Sequence, residues 1–434
     1  MSWLANCLYL LAAVCYLPIV AYQMVVQKKN RRGWWQRFGH LDFAPPKGRR
    51  LWVHAVSLGE TNAARLIVKQ LSERLPDVEI LISTTTDTGF ARACQLYGSE
   101  RVFRYPLDFS WVVRRALDRI QPSMIVLVEL EVWPNLMALA GSRDVPVVVV
   151  NGRLTERSFR RLRRFGFAGQ RAFGNLRWVG AQDATMAARF RGLGVAADRI
   201  DVTGSVKWDT VTLGSTVDGA ADLQRAMGID AGKPLWICGS TGPGEEALIV
   251  DAFSELRSTR PELQLAVIPR KPERFDEVAH LIERGGYTCR RRSRQSDGSQ
   301  ILASSVADGS WIALGDTMGE LRKFYALADA VFVGRSLIPL GGSDPMEVAA
   351  LGKPMVVGPH MDNFEAAMSA FDDGEAIRTI ESASDLAGAV DDLLAHPDRA
   401  RQMGARARQV VEENQGATGT TVDKLIAILN EHTP

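Results

Sequence analysis

Short apolar runs rich in Val, Ile and Leu alternate with helix-period stretches from residue 50 onward. In the first half the strand candidates are Leu51–Ala55, Val78–Ser83, Val102–Tyr105, Met124–Val128, Val145–Val150 and Trp178–Gly180. In the second half they are Leu235–Cys238, Leu265–Ile268, Trp311–Leu314, Ala330–Val333 and Pro354–Val357. Helical patterns such as Ala63–Arg74, Trp111–Ile120, Glu245–Leu256 and Glu273–Gly285 lie between them. A strand apolar along its whole length is buried on both faces, so this alternation predicts parallel sheets covered by helices on either side. Two such runs predict two doubly wound domains. Their expected limits are 28–212 and 234–434, joined by a Gly-, Ala-, Ser- and Thr-rich linker over 213–233. Ligands of open α/β sheets bind at the carboxyl ends of the strands, so two such domains facing each other predict one cleft. A weaker helical pattern, Thr421–Leu429, is placed to pack back across the interface.

Residues 2–27 contain no charged side chain, and Lys28, Lys29, Arg31, Arg32 and Arg37 follow before the first acidic residue, Asp42. About 20 apolar residues span a bilayer as a helix. The reading is an uncleaved transmembrane anchor over 1–27, and the basic flank places everything after it in the cytoplasm. A cleaved signal peptide normally carries its charges before the apolar run, and this chain has none there. An interfacial helix lying on the membrane is the other alternative. Trp34 and Trp35 suit the headgroup layer.

Lys and Arg total 52 against 50 for Asp and Glu. That balance excludes a general nucleic-acid binder, which carries a large basic excess. The five cysteines have no paired spacing, and the six histidines are dispersed, so neither a disulfide framework nor a metal site is expected.

Several strand-end segments carry chemistry. Glu60 closes the run His54-Ala55-Val56-Ser57-Leu58-Gly59-Glu60 and opens a helix, where a carboxylate is favoured in its ionised form. Helix capping is the plain alternative for a Glu at that place. Glu129 and Glu131 precede Trp133-Pro134-Asn135 at another strand end, as ligand-binding or as structural groups. Asn151-Gly152-Arg153-Leu154-Thr155-Glu156-Arg157-Ser158 begins a stretch to Arg164 with six arginines against one glutamate. It is either a solvated face or a surface for lipid phosphates. In the second half stand Pro269-Arg270-Lys271-Pro272, Gly315-Asp316-Thr317-Met318-Gly319-Glu320, Gly341-Gly342-Ser343-Asp344-Pro345-Met346-Glu347 and Gly358-Pro359-His360. Asp344, Pro345 and Glu347 read as N-cap, N1 and N3 of a helix.

In this order these motifs resemble the 3-deoxy-D-manno-octulosonate (Kdo) transferases, from the N-terminal anchor to the end of the second domain. The resemblance implies the GT-B glycosyltransferase fold: two Rossmann-like domains facing a cleft, with an N-terminal transmembrane helix. It implies transfer of Kdo from CMP-Kdo to a lipid A precursor, lipid IVA, in lipopolysaccharide core biosynthesis, without cofactor or metal. The enzyme would be single-pass in the inner membrane, with its catalytic domains on the cytoplasmic face. Glu60 would be the general base of an inverting displacement. The donor would meet Arg270, Lys271, Gly315, Asp316, Thr317, Met318, Gly319, Glu320, Gly342, Ser343, Asp344 and Glu347, with Glu347 on the ribose. The acceptor would meet Ser57, Gly59, Glu129, Glu131, Arg153 and Arg157. Gly242, Lys271 and Ser343 stand where that family usually has His. These departures keep two alternatives in view: a transferase for another CMP-activated keto-sugar acid or acceptor, and an inactive membrane-anchored scaffold.

Overall fold

The computed structural model describes residues 32–164, 166–295 and 311–432, with scattered positions between 6 and 26. The chain forms two compact units, Met1–Thr210 with Asn414–Pro434, and Val211–Glu413.

The first unit holds a seven-stranded parallel sheet. Its strands are β1 (Arg50–His54), β2 (Glu79–Thr84), β3 (Val102–Arg104), β4 (Met124–Val128), β5 (Val147–Gly152), β6 (Trp178–Ala181) and β7 (Ile200–Val202). They lie in the order β3-β2-β1-β4-β5-β6-β7. Alternate residues of one strand enter opposite cores. Leu51 and Val53 join Val126, Val148 and the helix Leu58–Arg74 on one face. Trp52 joins Ile125, Leu127 and Val149 on the other. Burial on both faces accounts for the continuous apolar text of these strands.

The second unit repeats the plan. Strands β8 (Leu235–Thr241), β9 (Gln264–Pro269), β10 (Thr288–Arg291), β11 (Trp311–Leu314), β12 (Ala330–Val333), β13 (Met355–Val357) and β14 (Arg378–Thr379) are all parallel. Their order is β10-β11-β9-β8-β12-β13-β14. Trp236, Val267, Leu314 and Phe332 belong to the core on one face.

Three sequence expectations change. The second unit ends at Glu413, not at the C-terminus. The last helix, Ala417–Glu431, packs Val422, Leu425, Ile428 and Leu429 into the first unit's core. Asp209 secures its start by accepting from Gly416 N (2.7 Å) and Thr418 N (2.6 Å). The expected linker 213–233 lies in the second unit and contains the helix Ala220–Met227. Arg37, counted with the basic flank, is only 8% exposed and donates to Thr85 O at 2.6 Å. No helix among the described residues is long and apolar enough to cross a membrane. The expected anchor over 1–27 falls largely outside the described residues.

Candidate active site

The order of the first sheet reverses between β1 and β4, so the loops after these strands diverge from one point on its carboxyl edge. Glu60 and the pair Glu129 and Glu131 come from those two loops. Ser57 caps the helix Leu58–Arg74, accepting from Glu60 N at 3.4 Å. The Glu60 carboxylate takes Ser57 Oγ–H at 3.0 Å and Val56 N–H at 2.8 Å. Ser57 is therefore the helix cap, and the Glu60 carboxylate, on the third helical residue, is held in place by its bonds from Val56 and Ser57.

Electrostatics revise the expectation that Glu60 is simply ionised. Burial pushes its carboxyl up to about 7, against the bonds from Val56 and Ser57, and the negative charges of Glu129 and Glu131 push the same way. Burial also raises Glu129, opposed by Arg153 and Lys207. It raises Glu131, opposed by the Trp133 Nε1–H bond at 2.9 Å. Glu129 takes a left-handed backbone, φ +66°, which non-glycine residues seldom adopt.

The Trp-Pro-Asn segment opens the helix Pro134–Gly141. The buried carboxylate of Asp108 accepts from Asn135 N (2.9 Å) and Leu136 N (2.8 Å), closing the amides that this helix start leaves open. Asn135 is itself buried, so this motif is structural and carries Glu131 and Trp133 on a fixed support. Gly59 has room for a side chain, since a Cβ there meets nothing nearer than Ser57 Oγ at 3.8 Å. Arg153 and Arg157 are exposed, and Arg160 is engaged by Glu156 at 2.7 Å.

In the second unit the order reverses between β8 and β12. The donor candidates follow β9, β11 and β12, hence share the carboxyl edge. Arg270 and Arg322 both bear electrostatically on Glu347. Burial raises the Glu347 carboxyl, and these two guanidinium groups oppose it.

Several other candidates are committed to partners within the fold. Asp316 accepts from Ser293 N (2.7 Å), Ser293 Oγ (2.6 Å) and Arg291 Nε (2.7 Å). Burial opposes its ionisation, but these bonds outweigh it and hold the carboxyl below its usual range. Glu320 meets Arg292, Thr317 and Lys323, which overcome burial and keep it at about 2. Both acids are thus neutralised at strand ends rather than presented to an anionic ligand. Gly315 packs on Ile268, where a Cβ would stand 2.6 Å from Cγ1. Thr317 is tied to Glu320, whereas Met318 and Gly319 are exposed. The amide of Gly342, a donor candidate, is taken up within the fold and donates to Arg335 O at 2.8 Å. Ser343 is buried and donates to Ser240 O at 3.1 Å. Asp344 accepts from Met346 N at 2.9 Å, but the short helix Met346–Ala350 starts one residue later than expected: Pro345, not Asp344, is its N-cap, and Glu347 is its second residue. Lys271 is 58% exposed and lies 3.6 Å from Glu273.

Lys207, Arg322, Arg335 and the buried pair Glu245 and Glu246 have no place among the sequence candidates. Arg335 had a readable signal: it stands just after an apolar strand, where candidate residues elsewhere were sought.

Two doubly wound parallel-sheet units, each with one switch point, have the architecture of the GT-B glycosyltransferases. A glycosyltransferase from Rickettsia africae shares it, with TM-score 0.55 at 12% identity over 89% of this chain and 99% of that one. A UDP-GlcNAc 2-epimerase from Neisseria meningitidis does so at TM-score 0.54 and 13% identity, over 88% and 100%. A family model described as 3-deoxy-D-manno-octulosonic-acid transferase matches residues 32–210, and a glycosyl transferase-like model matches 321–418. A 3-deoxy-D-manno-octulosonic acid transferase from Bordetella pertussis is 35% identical over 436 residues, 96% of this chain and 98% of its own. The Haemophilus influenzae protein of the same name is 30% identical over 418 residues, 95% and 94%. The chain belongs to the 3-deoxy-D-manno-octulosonic acid (Kdo) transferase family and is an enzyme of the glycosyltransferase class.

Proposed function

We propose that this enzyme transfers Kdo from CMP-Kdo to a lipid A precursor, lipid IVA, in lipopolysaccharide core assembly on the cytoplasmic face of the inner membrane. The observation that carries the reading is Glu60: a positioned carboxylate at a sheet switch point, with its proton affinity raised to about 7. A general base works best when its pKa lies near the operating pH.

The acceptor hydroxyl oxygen attacks the anomeric carbon of Kdo while Glu60 takes its proton. The bond from that carbon to the CMP phosphate oxygen breaks, and CMP leaves with the bonding pair. A single displacement of this kind inverts the anomeric centre. Arg270 and Arg322 supply positive charge for the departing phosphate, and Glu347 accepts from ribose hydroxyls, with no metal in the scheme. Glu129, Glu131, Ser57 and Gly59 border the acceptor. Arg153 and Arg157 meet its phosphates, where each nearby cation is worth about 1 kcal/mol at an anionic surface.

The test is product mass after detergent-purified protein is incubated with CMP-Kdo and lipid IVA. A gain of one or more Kdo units, lost in Glu60→Gln, is the expected result. A folded protein that leaves lipid IVA unchanged refutes the reading. A second reading, another CMP-activated keto-sugar acid, is favoured by one observation. Gly242 carries no side chain, Ser343 is turned to Ser240 O, and Lys271 is paired with Glu273. Donor competition separates the two.

A further inference from the structure

Arg335 stands just after β12 and Gly334, where the second sheet reverses its order. Its backbone is left-handed, φ +64°. A residue with a Cβ is strained in this conformation, and such strain persists only where the surroundings enforce it.

The surroundings do so from several directions. The amide of Arg335 donates to the Glu245 carboxylate, and its carbonyl accepts from Gly342 N at 2.8 Å. One guanidinium nitrogen, Nη2, donates to Leu340 O at 2.7 Å. Glu245 is 0% exposed, and it also accepts from Gly242 N (2.8 Å) and Leu337 N (2.9 Å). One buried carboxylate thereby ties the loop after β8 to the loop after β12. The aliphatic part of Arg335 crosses above Gly242, where a Cβ would lie 3.0 Å from Arg335 Cγ and 2.5 Å from Leu340 Cδ1.

The rest of the half-buried guanidinium has no hydrogen-bond or ion-pair partner among the described residues. Arg291, Arg292 and Arg274, at strand ends of the same sheet or just after them, each have a carboxylate. Arg335 is thus an unneutralised fork held in a costly conformation at the place where open α/β sheets bind ligands. Its planar donors match a carboxylate or phosphate in bidentate fashion, which a lysine does not.

We propose that Arg335 is a specificity-determining residue for the donor. Its guanidinium binds an anionic oxygen group of the nucleotide-activated sugar acid, and Glu245 acts as its positioning residue. This deepens the donor reading above and rests on it. The anionic group has two sources, the nucleotide phosphate and the sugar carboxylate.

Calorimetry with CMP and with CMP-Kdo, on the full chain and on Arg335→Gly, tests the proposal alongside steady-state transfer. Glycine takes φ +64° without strain, so the variant removes the side chain while favouring the fold, and its melting temperature should match or exceed the parent's. The expected result is a donor KM raised by about 10- to 100-fold with acceptor KM unchanged, the loss typical of a hydrogen bond to a charged group. Arg335→Lys should recover part of it, and Glu245→Gln should raise donor KM more than it lowers kcat. Weakened CMP binding assigns the contact to the phosphate. Intact CMP binding with weakened CMP-Kdo binding assigns it to the carboxylate. Arg335→Gly with unchanged affinity for both, or a parent chain that binds neither, overturns the proposal. Ligand binding that depends on Arg335 in a chain without transfer activity upholds this contact and refutes the reaction instead.

Discussion

Glu129 raises the proton affinity of Glu60 from the other loop of the switch point at which the first sheet reverses. The two carboxyls belong to different strand ends, β4 and β1, so the fold sets their mutual repulsion. Like charges at a shared site favour the protonated form. The acid limb of kcat/KM should therefore fall near pH 7, set by Glu60 at about 7. In Glu129→Gln that limb should move to lower pH, because one of the charges that raises Glu60 is gone. A pH–rate profile of the two proteins checks this, and an unmoved limb refutes the coupling.

The same shift has a stability consequence. Glu60 lies near 7 in the fold against 4.5 for the ordinary carboxyl. Its folded form holds the proton more tightly than its unfolded form. Its contribution to stability is complete below about 4.5 and is lost as pH rises through about 7. Glu60→Gln, which cannot ionise, should melt a few degrees above the parent at pH 8 while losing transfer activity. At pH 4.5 the difference should disappear. Thermal melts at both values decide it.

Strands buried on both faces were legible because their whole length is apolar. Met124–Val128, Trp311–Leu314 and Ala330–Val333 begin and end where the sequence places them. The strands Ile200–Val202, Thr288–Arg291 and Arg378–Thr379 were not, since each is a short edge strand that buries little. The return of the last helix is legible in the pattern Thr421–Leu429, and Ala417–Glu431 does join the first unit; only its core partners depend on tertiary burial. Within the site, Ser57 and Glu60 stand at capping distance in sequence, and the structure shows that hydrogen-bonded pair. The raised pKa of Glu60 was not legible, because it comes first from burial and then from the charges of Glu129 and Glu131, and the tertiary fold sets all three. Asp316 and Glu320 read as ligand groups because Arg291, Arg292 and Ser293, which satisfy them, come from the end of a different strand and the turn after it.

Arg274 and Glu246 form a buried ion pair in the second unit, with Nη1 to Oε1 at 2.6 Å and Nη2 to Oε2 at 3.0 Å. Glu246 also accepts from Thr241 Oγ1 at 2.8 Å, linking the ends of β8 and β9. Removing Arg274 leaves Glu246 charged and buried, which costs about 3–5 kcal/mol. Arg274→Ala should destabilise by that order in denaturant unfolding, and Glu246→Gln by less, because Arg274 keeps Glu277 at 2.9 Å. The double variant should cost much less than their sum, the signature of a coupled pair. Additive losses would mean the two groups act separately.

Gly334 sets how closely β12 can lie against the end of β8. A Cβ at this position would stand 2.5 Å from Thr241 Cα and 2.8 Å from both Ser240 O and Thr241 N. All three are backbone atoms, so no rotamer change relieves the contact, and the strand ends must part. Such overpacking costs about 1–3 kcal/mol. Gly334→Ala should lower the melting temperature and raise donor KM, since the displaced segment carries Arg335. Gly388→Ala is the control: its Cβ meets nothing within 4 Å, and it lies inside the helix Leu386–Ala395. There alanine should stabilise by about 0.5–1 kcal/mol and leave both KM values unchanged. If Gly334→Ala melts with the parent, the close approach of β8 and β12 is not required for the fold, and its effect on donor KM should vanish with it.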